Sequence, residues 1–140
     1  MAWPTEDELK QIYADTKTIA VVGASKDEKK AGHRIPRYLK TQGFKIIPVN
    51  PSADEIFGEP VKASLSEVDE QIDTVEVFRP ADEAPDIARK AVAAGAKVLW
   101  LQEGIVSEEA REIAEAGGLR VVMDMCMGAT HGWLGLGPGP

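Results

Sequence analysis

The chain has 140 residues, 44% hydrophobic and 28% charged, which suits one globular domain burying roughly two thirds of its unfolded surface. A net charge of −7 excludes non-specific nucleic-acid binding as its main task, because that binding needs many phosphate-neutralising cations. No apolar run nears the ~20 residues of a bilayer span, the start from Met1 to Glu8 lacks a secretory signal, and the single Cys126 excludes an intramolecular disulfide or a thiolate zinc cluster, so a cytoplasmic protein is expected.

Taken in chain order, Thr5 and Glu8 form a capping box for a first helix within residues 1–16, with Leu9, Ile12 and Tyr13 as its apolar stripe. A strand follows at Ile19 to Val22, apolar throughout, as in a strand covered on both faces. A helix is predicted from Gly32 to Gln42, with Pro36 near its first turn and Gly43 as its stop. The second strand is Phe44 to Val49. Residues 50–68 are irregular, punctuated by Pro51, Gly58 and Pro60, with one helical turn at Ser64 to Val68. A third strand, Thr74 to Phe78, leads into a helix over Pro80 to Ala94. A fourth strand is Val98 to Leu101. Ser107 caps a last helix ending at Gly117-Gly118, and a fifth strand spans Leu119 to Met123. The glycine- and proline-rich tail, residues 128–140, is expected to be irregular.

Strands alternating with helices predict an α/β fold: a single Rossmann-like domain over residues 1–140. Its five-stranded parallel sheet, in the order 3-2-1-4-5, has helices on both faces. Ligands of such a sheet bind beyond the carboxyl ends of the strands, which selects four loops. After the first strand, Gly23, Ala24 and Ser25 offer a tight turn and a hydroxyl, although a glycine there is also an ordinary strand terminator. The full G-x-G-x-x-G fingerprint is absent. Lys26, Lys29, Lys30, His33 and Arg34 follow at once, within a basic window that extends through Arg37, Lys40 and Lys45. A solvated helix face is the other reading of that window.

The second strand ends in Asn50-Pro51, where an NAD site carries an acid for the ribose; for this pair taken alone a plain turn is the favoured reading. Phe78, Arg79 and Pro80 end the third strand, with Arg79 a candidate phosphate clamp. Gln102, Glu103 and Gly104 follow the fourth. Cys126 reads as a small buried hydrophobe before a nucleophile, and His131 has no neighbouring ligand set for a metal.

These segments together resemble the CoA-binding proteins, small stand-alone domains similar to the CoA-binding domain of the succinyl-CoA synthetase α subunit. The resemblance rests on Val21 to Ser25, His33-Arg34 with Tyr38-Leu39, Pro48 to Pro51 and Val77 to Pro80. It continues in Leu99 to Gln102 with Gly104, and in Val121 to Asp124 before Cys126. It implies a bound coenzyme A, with phosphate at Gly23 to Ser25 and adenosine at Asn50-Pro51. Phe78, Arg79, Pro80 and Gln102 would line the diphosphate and pantetheine arm. Neither His33 nor His131 is matched to that subunit's phosphohistidine, so no catalytic residue is expected. The predicted function is binding of coenzyme A or an acyl-CoA without catalysis, a protein partner being left open. An NAD(P)-dependent oxidoreductase or redox sensor is the alternative, and a scaffold domain with a vestigial pocket the third reading.

Overall fold

Thr5 opens the first helix as its residue type dictates. Its hydroxyl accepts from the Glu8 amide at 3.1 Å, and the Glu8 carboxylate accepts from the Thr5 amide at 3.2 Å, so two amides that a helix start leaves bare are satisfied. In the computed structural model, which describes residues 3–137, this helix is α1, Glu6–Asp15. Strand β1, Thr18–Val22, follows, then α2, Ala31–Thr41, and β2, Lys45–Val49. The crossover from β2 carries a two-stranded hairpin of β3, Glu55–Ile56, and β4, Glu59–Pro60, then a 3-10 turn at Leu65–Glu67. Strand β5, Thr74–Val77, leads through a 3-10 turn, Ala81–Glu83, into α3, Ala84–Ala93. The chain closes with β6, Val98–Leu101; α4, Glu108–Ala116; β7, Arg120–Val122; and α5, Met127–Trp133.

The five long strands form one parallel sheet with helices on both faces, as expected for this α/β class. One face buries Leu9, Ile12 and Tyr13 of α1, Leu39 of α2 and Met127 of α5 against Ile19, Val21 and Trp100. The other buries Ala84, Ile87, Ala88 and Ala91 of α3 with Ala110 and Ala114 of α4 against Val75, Val77, Leu99 and Leu101. Alanines on α3 and α4 let those helices approach closely.

The order along the sheet differs from the expected 3-2-1-4-5. It is β2-β1-β5-β6-β7, so the third long strand lies beside the first and β2 forms an edge. The physical reason lies in Pro48. A proline has no amide for a ladder and is accommodated on the free side of an edge strand. Val49 O accepts from Gly23 N at 3.1 Å on the β1 side, while Pro48 O faces outward and accepts from Lys62 N at 3.0 Å. The missing N–H of Pro48 therefore also faces outward.

The C-terminal segment differs too. Residues expected to be irregular form α5, capped by Cys126, whose Sγ accepts from the Ala129 amide at 3.4 Å. Residues 138–140 of the predicted tail lie outside the described residues, as do residues 1 and 2. Among the described residues no helix is long and apolar enough to cross a membrane.

Candidate functional site

In this strand order, β1 sends the chain to α2 on one face and β5 sends it to α3 on the other. The carboxyl ends of β1 and β5 thus diverge, and that divergence is where open parallel sheets bind ligands. Here it is a cavity of about 940 Å³. Gly23, Ala24 and Ser25 lie on its β1 side, and Asn50, Pro51 and Ser52 at the end of β2. Phe78 and Arg79 stand at the end of β5, with Ser64 and Leu65 beside them. Lys30, Ala31 and Gly32 at the start of α2 form one wall, and Asp82, Glu83, Asp86, Ile87 and Lys90 the other.

The β1–α2 loop is tied into one shape by its own polar groups. Pro36 sits inside α2 and has no amide for the carbonyl four residues back. That carbonyl, Gly32 O, accepts instead from Ser25 N at 3.1 Å. His33 Nδ1 lies 2.7 Å from Ser25 O, and the Ser25 hydroxyl accepts from Asp27 N at 3.0 Å. Asn50 Nδ2 donates to Ala24 O at 2.8 Å while its Oδ1 accepts from Ser52 N at 2.7 Å, which joins the β1 and β2 loops.

Two glycines let these pieces meet. Gly23 has φ +91°, in the left-handed region, and a Cβ on it would lie 3.0 Å from Arg79 Cδ and 3.2 Å from the Phe78 carbonyl. A Cβ on Gly32 would lie 2.8 Å from Gly23 O. The first turn of α2 is consequently pressed onto the β1 turn. Its N-cap, Lys30, makes no side-chain cap bond, and no acid occupies that turn. Bare amides and the positive end of the helix dipole therefore face the cavity, a setting that favours an anion.

The charges are not arranged as the basic window suggested. Of that window only Lys30 lines the cavity. Lys26, Lys29, Arg34 and Arg37 are exposed outside it, Lys40 pairs with Glu59 at 2.7 Å, and Lys45 pairs with Glu70. Two further cations, Arg79 and Lys90, come from the β5 side. Arg79 grips Glu83 with both arms of its fork, Nε to Oε1 at 3.1 Å and Nη2 to Oε2 at 2.7 Å. That hydrogen bonding holds the Glu83 carboxyl below its ordinary range. Lys90 sits 3.1 Å from Asp86.

Gly23, Ala24, Ser25, Asn50, Pro51, Phe78 and Arg79 are thus brought together, whereas the lining omits Lys26, His33, Arg34, Pro80, Gln102 and Gly104. His33 is buried behind the loop, its ring 4.8 Å from that of Phe57. Gln102 is buried, its Oε1 accepting from Met127 N at 2.9 Å, so it positions α5. Gly104 N donates to Asp124 Oδ1 at 2.7 Å and braces the loop after β6. Ser52, Ser64, Leu65 and Lys90 escaped the sequence reading. They come from an irregular crossover and from the middle of a helix, where no periodicity marks a ligand-facing side.

One titratable group stands apart. Glu76 in β5 is fully buried between Val21 and Trp100 in register, and neither carboxyl oxygen has a hydrogen-bond partner. Burial pushes its pKa up to about 8. His131 is buried with its ring against Tyr13, Tyr38 and Phe44, and burial lowers its pKa.

The chain as a whole has relatives among known proteins. A family model described as a CoA binding domain matches residues 17–132. The protein YneT of Bacillus subtilis is 38% identical over 128 residues, covering 91% of this chain and 95% of that one. An ADP-forming acetate–CoA ligase of Methanocaldococcus jannaschii is 31% identical over 137 residues, 92% of this chain. This chain spans only 19% of that ligase. Among solved structures, a protein from Pyrococcus horikoshii superposes with a TM-score of 0.91 at 31% identity, covering 95% of this chain and 93% of that one.

Proposed function

The chain belongs to the family of CoA-binding domains, and from that membership and the form of the cleft we propose that it binds coenzyme A or an acyl-CoA without catalysis of its own. The observation that carries this reading is the uncapped, acid-free start of α2, pressed against Gly23 and opening on the cavity. A diphosphate suits those bare amides and Lys30, because anions are stabilised at a helix N-terminus. The missing Cβ at Gly23 and at Gly32 lets the start of α2 and the end of β5 close in on the β1 turn, which brings those bare amides to the cleft.

Adenosine fits beside Asn50, Pro51 and Ser52, and the Arg79 fork, paired with Glu83 in the free protein, suits a phosphate oxygen pair once that pairing is given up. Asn50 replaces the acid that an NAD site uses for its ribose, and a 3′-phosphate meets no repulsion from it. The acetate–CoA ligases share this segment as a small part of their length, and their activity belongs to those longer proteins.

Titration calorimetry with CoA, acetyl-CoA, dephospho-CoA and NAD tests the proposal. Micromolar binding of CoA that weakens without the 3′-phosphate is the expected outcome. Binding of NAD more tightly than CoA, or of neither, overturns it.

A further inference from the structure

Arg79 and Glu83 both line the cavity, and in this structure they neutralise each other. The guanidinium presents its fork to the carboxylate with two bonds, the same fork that grips a phosphate. We propose that Glu83 gates Arg79: the carboxylate occupies the fork in the free protein, and a phosphate of the ligand takes Arg79 by displacing it. Glu83 thereby sets how strong an anion a ligand must present to be held. The inference rests on the CoA reading above and adds the residue that competes with the ligand.

Three observations support the exchange. The side chains of Arg79 and Glu83 are 48% and 44% exposed, so the pair is open to solvent and to a ligand, and such pairs hold weakly. The Arg79 stem already crosses the β1 turn, its Cδ lying 3.0 Å from where a Cβ of Gly23 would stand. The same β1 turn touches the start of α2, where a Gly32 Cβ would lie 2.8 Å from Gly23 O, so the Arg79 stem and the α2 amides flank one turn. Finally, acids crowd one wall of the cleft, with Asp82, Glu83 and Asp86 at the head of α3, while the first turn of α2 has none. An anion settles on the α2 side, and Arg79 must leave Glu83 to reach it.

Calorimetric titration of CoA into the wild type and three single variants, Glu83→Gln, Arg79→Ala and Asp82→Asn, together with the Glu83→Gln/Arg79→Ala double variant, tests the gate. Thermal melts check that each variant folds. Glu83→Gln is expected to bind CoA about 3- to 10-fold more tightly, since a competing charged pair is removed. Asp82→Asn should gain less, and in the Arg79→Ala background Glu83→Gln should gain no more than Asp82→Asn does. Unchanged or weaker binding by Glu83→Gln overturns the gate. So does an equal gain from Asp82→Asn, which would mark a general field effect, or a gain in the Arg79→Ala background larger than that of Asp82→Asn. Should only Glu83→Gln bind CoA, no ligand displaces the carboxylate in the wild type, and the gate falls with the binding proposal. If neither binds, both readings fall.

Discussion

Glu76 is held where a carboxylate is expensive: buried in the central strand β5, with no hydrogen-bond partner for either oxygen. Its pKa rises from 4.5 to about 8, so the folded protein keeps the proton that the unfolded chain has already lost. The sign follows from proton counting. Below pH 4.5 both states are protonated and Glu76 costs little; between 4.5 and about 8 the folded state grows less stable with each step in pH; above 8 the full cost is present. At pH 7 that cost is on the order of 3 kcal/mol. Glu76→Gln is therefore expected to flatten this part of the pH dependence, gaining more stability over the wild type at pH 8 than at pH 5. Urea unfolding at the two pH values measures it, and equal differences at both would show that Glu76 does not titrate as inferred.

At the scale of elements, the β1–α2 loop that lines the cleft is shaped by a helix defect. Pro36 withholds an amide from Gly32 O, and Ser25 N takes the place. Pro36→Ala supplies a competing donor inside α2, and hydrogen exchange at the Ser25 amide is expected to quicken while the helix as a whole is not weakened. Unchanged exchange at Ser25 would mean the loop holds its shape without that bond. Much of this element layer was legible in advance. The capping box of α1, the five apolar runs and the turn at Gly23 all follow from local residue chemistry. What was not legible depended on long-range partners. The role of Gln102 requires knowing that α5 exists and lies beside it. The basic window reads as one patch along the chain but is split by Glu59 and Glu70, which arrive from the crossover. Pro48 did carry the signal that β2 is an edge, and the strand order follows from giving that single residue its weight.

At the scale of the molecule, the cleft draws on both layers of the core. Its α2 wall belongs to the face that buries Leu39, and its α3 wall to the face that buries Ile87. A ligand seated there braces both sides of the sheet at once. At CoA concentrations 100 times its Kd, mass action adds about 2.7 kcal/mol to stability. For a domain of this size that is a rise in Tm of roughly 5–15 °C. Calorimetry should show one transition moving as a whole. A split into two transitions, with only one responding to ligand, would show that the layers unfold independently.

The outer margin of β2 also governs how this molecule meets others of its kind. An unguarded sheet margin templates another chain's strand and can propagate into fibres. Here Lys62 lies along that margin, its amide bonded to Pro48 O at 3.0 Å and its carbonyl accepting from Asn50 N at 2.9 Å. Just before that bonded pair, where the outward amide of Pro48 would stand, there is no hydrogen to offer. A crowded solution of this protein thus meets a blocked seam, and the residue that set the strand order also protects the fold from polymerising through it.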